Sequence, residues 1–296
     1  MSVCTPGMKL TIENKAGESY PLLLRTQNLK ILSQAEMKVY ESDAYGNLLH
    51  DMFEISNPTR TEMPYVLLPS GCPALVFFLR PQHSACYLCG PLTTARKVYV
   101  PSNGVLFCVR FKAGSLEWFG VKKTSALADH VIPFNRQYLT TDELIGQLCR
   151  KLSFRERCDV IFGFLDQNGA KQYESNPLVQ TCMDVILGQQ GTGRVHDLTQ
   201  VVARSERFLS RSFHMTVGLS VKTYCELVKF QNSFRSILGS HPKNLSSGVK
   251  SYGYYDLSHM NRAYRRFIHY TASDIRFLTI DDTYVPDLIC NTEVKA

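Results

Sequence analysis

Residues 253–276 read GYYDLSHMNRAYRRFIHYTASDIR, and this stretch combines a turn signal, a short helix and a basic face. Gly253 suits a tight turn with positive φ, and Asp256 or Ser258 can cap the free amides of a helix that starts there. Apolar residues then recur at the helical spacing i, i+3, i+4, i+7, namely Met260, Ala263, Tyr264 and Phe267. The pattern predicts a helix with one side packed in a core.

The opposite side of this helix is polar and basic, with Asn261 on its flank and Ser258, Arg262 and Arg265 at its centre. For a single helix, a solvated basic surface is the simpler interpretation. A second copy lies 51 residues earlier, after Ser205. Its apolar stripe is Leu209, Ser212, Phe213 and Thr216, and its opposite side carries Arg207, Ser210, Arg211 and His214. Two basic-faced helices in one small domain are what two successive major-groove contacts require.

With this spacing, residues 177–278 resemble the DNA-binding domain of the AraC/XylS family of bacterial transcription regulators. The segment 198–235 resembles the family's first helix-turn-helix and linker helix, and 253–276 resembles its signature segment. The resemblance implies an all-α domain with two helix-turn-helix units. It also matches Arg211 and Arg262 to the arginine that reads bases in each half.

The chain departs from the family pattern at small residues and turns. The substituted positions are Thr199 and Val249 for Ala, Ala203 and His269 for the turn Gly, and Val221 and Ala272 for Pro. A turn that needs positive φ costs about 1 kcal/mol or more without glycine.

The basic side chains divide into expected base contacts and expected phosphate contacts. A guanidinium can pair bidentately with guanine, so Arg211 and Arg262 are the first choices for base contacts. We expect Arg207, Ser210, Ser258 and Asn261 to modulate sequence choice. Phosphates position the protein without specifying sequence, and the residues placed for them are Arg204, Lys222, Arg265 and Arg266.

The length of 296 residues is that of about two domains, and 44% hydrophobic residues suffice for real cores. The formal net charge of +7 is modest, but its distribution is uneven. Residues 194–276 hold thirteen Lys or Arg against five Asp or Glu, and the rest of the chain is close to neutral. The positive charge therefore belongs to the segment with the two helices, where it attracts polyanions.

Short β-rich runs broken by Pro and Gly fill residues 60–135. The predicted strands are Tyr65–Leu68, Ala74–Leu79, Ala85–Cys89, Lys97–Val100 and Val105–Phe111. This spacing indicates an antiparallel barrel or sandwich. Residues 68–77 and 109–114 also resemble the uncharacterised N-terminal domain often joined to this helix-turn-helix pair, although Ser70 and Ala74 replace two of its acidic positions. By analogy with the regulators, the domain would be a cupin-like barrel.

Two helices between residues 140 and 165 are signalled by capping boxes, Thr140 with Glu143 and Ser153 with Glu156. Their apolar faces are suited either to packing on the barrel or to a helix-to-helix homodimer seam. Nearer the N-terminus, residues 28–40 show weak helical spacing.

We therefore predict an α+β chain in which residues 1–165 form an antiparallel β-barrel with connector helices. The polar stretch 166–177 is the predicted linker, and 178–296 is the predicted double helix-turn-helix domain. Ten cysteines without a secretory leader or an apolar stretch of membrane length indicate a cytoplasmic protein with reduced thiols and no membrane partner.

Metal binding and catalysis receive little support from the motifs. His83, Cys86 and Cys89 have metal-like spacing, but a structural zinc site usually needs four ligands, and Cys86 and Cys89 would face opposite sides of one strand. Buried structural cysteines are the favoured interpretation. No phosphate-binding loop, nucleophile elbow or His-Glu-x-x-His motif is present. We therefore expect no metal, no cofactor and no enzymatic activity.

The preferred hypothesis is a DNA-binding transcription regulator whose partner is double-stranded promoter DNA. The resemblance adds RNA polymerase, a second copy of the chain and a small-molecule effector as candidate partners. The alternative is a ligand- or metal-binding barrel whose helical C-terminal domain makes protein contacts. The doubled helix spacing favours the regulator.

Overall fold

A computed structural model describes residues 36–41, 45–80, 84–134, 141–150, 152–240, 245–246 and 248–275. The architecture is mixed α and β, with an antiparallel sheet in the N-terminal half and helices in the C-terminal half. The predictions for His83, for Thr140, for residues 28–35 and for the sequence after Ile275 concern parts of the chain outside these residues. Within them, no helix is long and apolar enough to cross a lipid bilayer.

In the described part of the chain, eight strands form two antiparallel sheets. They are β1 (Glu36–Glu41), β2 (Leu49–Asn57), β3 (Met63–Leu67), β4 (Ala74–Leu79), β5 (Ala85–Cys89), β6 (Arg96–Val100), β7 (Gly104–Phe111) and β8 (Val131–Pro133). Six of them make one sheet in the order β1-β2-β7-β4-β5-β8, and β3 pairs with β6 in a second, two-stranded sheet.

All five predicted strands are present, to within one or two residues at their ends. The closed barrel is wrong, because in the described chain β1 and β8 are the two edges of an open sheet and β3–β6 is a separate pair. The weak helical spacing of 28–40 is also misleading at its end. Residues 36–41 form β1, which pairs antiparallel with β2, and strand pairing outweighs such a local pattern.

The six-stranded sheet is covered on both faces. One face packs against the β3–β6 pair in a core built on Phe53, Val76, Val98 and Leu106. The other face receives α1 (Thr141–Leu148) and α2 (Phe154–Gln167). The helix side chains that pack there are Leu144, Leu148, Cys158, Ile161, Phe164 and Leu165, all buried. The sequence analysis considered two roles for the apolar faces of these helices, packing on the barrel or a homodimer seam. In the structure they pack on the sheet.

The capping box at Ser153 is confirmed. Its hydroxyl accepts from the Glu156 amide at 3.3 Å, and a Glu156 carboxylate oxygen accepts from the Ser153 amide at 2.7 Å.

The stretch 166–177 is more ordered than its polar composition predicts. Its first two residues end α2, and residues 170–172 form a short 3-10 helix in which Ala170 is buried. The Tyr45 hydroxyl donates to Asp166 Oδ1 at 2.8 Å, and Lys171 lies 2.8 Å from the same oxygen. These contacts tie the stretch to the sheet half.

The described part of the C-terminal half contains six α-helices. They are α3 (Pro177–Gly188), α4 (Val195–Val202), α5 (Glu206–Val217), α6 (Val221–Ser240), α7 (Leu257–Ile268) and α8 (Ala272–Ile275). Their buried side chains form a continuous core that also takes in Ala95 and Ala113 from the N-terminal half. The two halves are therefore packed against each other.

Two ion pairs are buried in the N-terminal half. Asp51 of β2 holds Arg110 of β7 through two oxygens, one of them 2.7 Å from Nε, and Glu54 lies 2.7 Å from Nε of Arg157 on α2. Burial raises the pKa of Asp51, but the Arg110 guanidinium and the adjacent His50 lower it more, so the net pKa lies below its usual value. The folded state thus favours the ionised carboxylate.

Asp51→Asn should destabilise the chain by about 3–5 kcal/mol at neutral pH, because it leaves the buried Arg110 without a carboxylate. The wild-type contribution is complete above the unfolded pKa of about 4 and is lost as pH falls through the lower folded value. Urea unfolding as a function of pH measures both effects. Asp159→Asn is the control, since it breaks an exposed pair with Arg155, for which about 0.5 kcal/mol or less is expected. Equal losses in the two variants would contradict the assignment.

Two helices end on non-glycine residues with left-handed backbone conformation. Ala203, after α4, has φ 50°, and His269, after α7, has φ 61°. The equivalent position after α5 is Gly218, with φ 84°. The positive φ expected at Ala203 and His269 is thus present, without the glycine that accommodates it best.

Ala203→Gly should therefore raise the free energy of unfolding by up to about 1 kcal/mol, because it relieves the left-handed penalty and only partly loses this gain to unfolded-state entropy. Gly218→Ala should do the reverse, since its Cβ would also lie 3.0 Å from the Thr124 carbonyl oxygen. Thermal unfolding of both variants measures the difference. A destabilised Ala203→Gly protein would refute the strain argument.

Candidate nucleic-acid interface

The first predicted unit forms a helix, a tight turn and a second helix. Residues 203–205 separate α4 from α5, which is the turn length of helix-turn-helix motifs. Ser205 caps α5, because its side chain accepts from the Phe208 amide at 3.3 Å. The predicted helix therefore begins at its predicted cap.

We call α5 and α7 the reading helices, after the role predicted for them. The second unit contains the reading helix α7, but the described residues in front of it contain no counterpart of α4. Asp256 caps α7 by accepting from the His259 amide at 2.7 Å, and Gly253 adopts φ 78° in the preceding turn. Among the described residues before α7, 245–246 and 248–256 lie in turns and bends. The double helix-turn-helix is thus present only in part within the described chain.

The reading helices α5 and α7 match in detail. Each has twelve residues, and their N-caps (Ser205, Asp256) and left-handed C-caps (Gly218, His269) are both 51 residues apart. Most of each predicted stripe is buried, through Leu209, Phe213 and Thr216 in α5 and Met260, Tyr264 and Phe267 in α7, whereas Ser212 and Ala263 are half-buried. The spacing found in the sequence is therefore a repeat of backbone geometry.

The basic faces of both helices are solvent-accessible. Of the predicted DNA contacts, the exposed residues are Arg204, Arg207, Ser210, Arg211, His214, Lys222, Ser258, Arg262, Arg265 and Arg266. Asn261 is only half-exposed. The structure thus leaves nearly the whole predicted set accessible to a ligand.

Helix α6 supports both reading helices through aromatic rings. Tyr224 packs edge-on against Phe213 of α5 with centroids 5.5 Å apart. Phe230 lies 4.9 Å from Tyr264 and 5.0 Å from Phe267 of α7. Six residues separate the two contact points on α6, which is about 9 Å along the axis and about 240° around it. The two reading helices therefore pack against different sides of α6.

The N-terminal half also holds the C-terminal ends of both reading helices. The Thr124 hydroxyl donates to the Met215 carbonyl in the last turn of α5, and the Ala95 amide donates to the Phe267 carbonyl in the last turn of α7 at 2.7 Å. A third bond joins Gln231 of α6 to the Pro69 carbonyl at 2.6 Å. Each of the three helices is thus bonded to the sheet half.

Two predicted DNA contacts on α7 bind residues of other helices. Asn261 Oδ1 accepts from the Ala272 amide at the start of α8, at 3.0 Å. Arg266 forms an ion pair with Glu226 of α6. Sequence periodicity placed both residues near the basic face, but it contains no information on these contacts between helices.

The strongly exposed large apolar side chains were missed by the sequence analysis. In the described chain they are Val201, Phe208, Met215 and Tyr255, all in the C-terminal half. The exposure of Phe208 could have been predicted from the sequence, because Phe208 follows Arg207 of the basic face and does not belong to the apolar stripe of α5.

The cysteines of the metal-like motif lie in the sheet interior. Cys86 faces the core under α1 and α2, and Cys89 faces the core under β3–β6, as alternation along a strand requires. Burial raises the pKa of Cys89 to about 12 and that of Cys86 well above its usual value. These thiols are protonated at neutral pH. The described residues contain no group of three or more His, Cys, Asp or Glu that could hold a metal ion.

The space between the two sheets is small. A cavity there offers about 40 Å³ to water-sized molecules and is bordered by Phe53, Ser70, Cys72, Cys108 and Arg110. Drug-sized ligands need about 300 Å³ or more. The sheet half in this conformation therefore has no room for such a ligand at that place.

Comparison with known proteins gives a family match in the N-terminal half. Residues 50–133 match a family described as a domain of unknown function (DUF6597), which covers β2 to β8. No curated protein matches the chain.

Among solved structures, the chain is similar to ToxT from Vibrio cholerae. One ToxT structure shows 10% identity and a TM-score of 0.41 over 83% of this chain and 98% of that chain. A second, of ToxT bound to an unsaturated fatty acid, shows 11% identity and a TM-score of 0.38 over 82% of this chain and 95% of that chain. TM-scores below 0.5 carry no argument about function, so the candidate interface depends on its own geometry.

Proposed function

We propose that this chain is a sequence-specific DNA-binding transcription regulator of the AraC type, with α5 and α7 entering adjacent major-groove segments. The observation that carries the proposal is the repeat itself. Two helices of equal length, capped at equivalent positions, bury one stripe and present arginines on the other side. A solvated basic surface does not require such a match of caps, length and register.

Within this proposal, residues 1–165 form the sheet and connector unit and 178–296 the DNA-binding unit. Arg211 and Arg262 are equivalent residues on the two exposed faces and are the proposed guanine contacts. Arg204, Arg207, Lys222 and Arg265 are also exposed and are proposed as further cationic contacts. Promoter DNA is the proposed partner. An effector, RNA polymerase and a second copy of the chain have support only from the family resemblance.

The alternative, a ligand- or metal-binding barrel, has less support. The cavity between the sheets offers about 40 Å³, far less than a drug-sized ligand needs, and burial raises the pKa of the Cys89 and Cys108 thiols that border it. No observation on the basic faces is explained by this alternative.

The direct test is selection of genomic DNA fragments by the purified full-length protein at near-physiological salt, followed by sequencing. The proposal predicts enrichment of a few upstream fragments that share a two-part motif about one helical turn apart. Uniform or absent retention would contradict it. Native mass spectrometry and elemental analysis of the same protein would then test the ligand- and metal-binding alternative.

Arg262→Ala should cost about 1–3 kcal/mol on the selected element and relax preference at one base pair. Lys222→Ala is the matched control, because a phosphate contact has no base preference. It should weaken binding to all sequences alike and reduce the slope of log K against log salt by about 0.9. Titrations of cognate and random duplexes at several salt concentrations measure both. Identical behaviour of the two variants would refute the division of roles.

Asn261 has a different proposed role, since its oxygen accepts from the first amide of α8. Asn261→Ala should lower the free energy of unfolding by about 1 kcal/mol, as loss of a helix cap does. Asn261→Asp keeps the acceptor and should retain the stability. Chemical unfolding separates the two variants. An alanine variant that is fully stable but has altered base preference would show that Asn261 reads DNA directly.

A further inference from the structure

The exposed apolar side chains of the described chain are not spread evenly over its surface. The exposed fractions are 56% for Val201, 50% for Phe208, 55% for Met215 and 83% for Tyr255. All four lie within or beside the two helical units. A single exposed apolar residue needs no functional explanation. Whether one of these four side chains has a function must therefore be judged from its position.

Phe208 is the one member of this group in the first turn of a reading helix. Its amide donates to the Ser205 side chain, which fixes the backbone at this position. Leu209 and Phe213 occupy the core side of α5 and are fully buried. Successive helical residues are about 100° apart, so Phe208 lies between the core stripe and the basic face. Its ring is thus available to a ligand of the basic face.

Three arginines lie within four residues of Phe208, and one of them packs over its ring. The Arg204 guanidinium lies over it, with Cζ 6.0 Å from the ring centroid. Arg207 precedes it in the chain, and Arg211 follows at i+3, on the neighbouring surface of the helix; both are exposed. The apolar ring of Phe208 thus lies near several positive charges. Such a site suits an anionic ligand that carries an apolar group between its phosphates.

We propose that Phe208 contacts the C5-methyl group of a thymine in the half-element read by α5. This inference rests on the proposed function and adds a specificity residue to it. N-terminal residues of a recognition helix contact base edges. The thymine methyl is the apolar group that the major groove presents, and phenylalanine is one of the side chains that contact it. The neighbouring arginines would hold phosphates and guanine on either side.

The second unit is not built for this contact. The residue equivalent to Phe208 is His259, whose Nδ1 accepts from the Tyr255 amide at 3.4 Å. Its ring also packs edge-on against Tyr254, with centroids 5.5 Å apart. The methyl contact therefore belongs to the α5 half-element alone.

The test replaces single thymines by deoxyuridine in the element selected by the full-length protein. This change removes only the methyl group and keeps every hydrogen-bonding group. For the wild type, one thymine in the α5 half-element should show a loss of affinity of about four-fold, the size expected for one buried methyl. Phe208→Ala should bind more weakly and show no loss at that position, while Phe208→Leu should retain part of it.

Met215→Ala is the matched control, because it truncates an equally exposed apolar side chain at the other end of α5. It should keep the wild-type deoxyuridine pattern. The inference is overturned if no thymine is sensitive in the wild type, or if Phe208→Ala keeps the full sensitivity. In either case selective binding of the element would leave the proposed function standing. Failure to retain any specific fragment would overturn both.

Discussion

The arrangement of the C-terminal half depends on hydrogen bonds that it receives from the N-terminal half. The last carbonyls of a helix have no partner inside the helix, and leaving such a group buried and unpaired costs about 1–3 kcal/mol. Here Thr124 and Ala95 supply donors to the last turns of α5 and α7. The two reading helices are thus fixed from both sides, by the rings of α6 and by the loops of the sheet half.

Close packing at this junction leaves little freedom for the sheet loops. A Cβ at Gly71 would lie 2.6 Å from a ring carbon of Tyr224 on α6. Two residues before Gly71, the Pro69 carbonyl accepts the hydrogen bond from the Gln231 side chain of the same helix. Ser70 and Cys72, which alternate with them, border the cavity between the sheets. One short loop therefore contacts the cavity with one set of residues and the long helix with the other.

Much of this fold could be predicted from the sequence, but little of the contact between the two halves could. Helical periodicity identified α5 and α7, because each has an apolar stripe and a short polar cap that act locally. Five strands were equally readable from short runs of apolar and aromatic residues broken by Pro and Gly. Closure of the sheet was not, since it depends on which strands lie side by side. The bond from Ala95 to Phe267 joins residues far apart in the chain, and Asn261 is diverted from the basic face by a helix that follows it. Such contacts leave no periodic pattern in the sequence, so periodicity could not predict them.

The two units share a backbone plan but not a reading surface. The tight turn before α5 follows a helix, whereas the described residues before α7 form turns. Position by position, Phe208 corresponds to His259 and Ser210 to Asn261, and in each pair the α7 residue has a protein partner. Two surfaces with different side chains recognise different base sequences. Under the proposed function, one chain of this construction is therefore suited to an asymmetric element with two unlike halves, because a palindrome requires two identical surfaces related by symmetry.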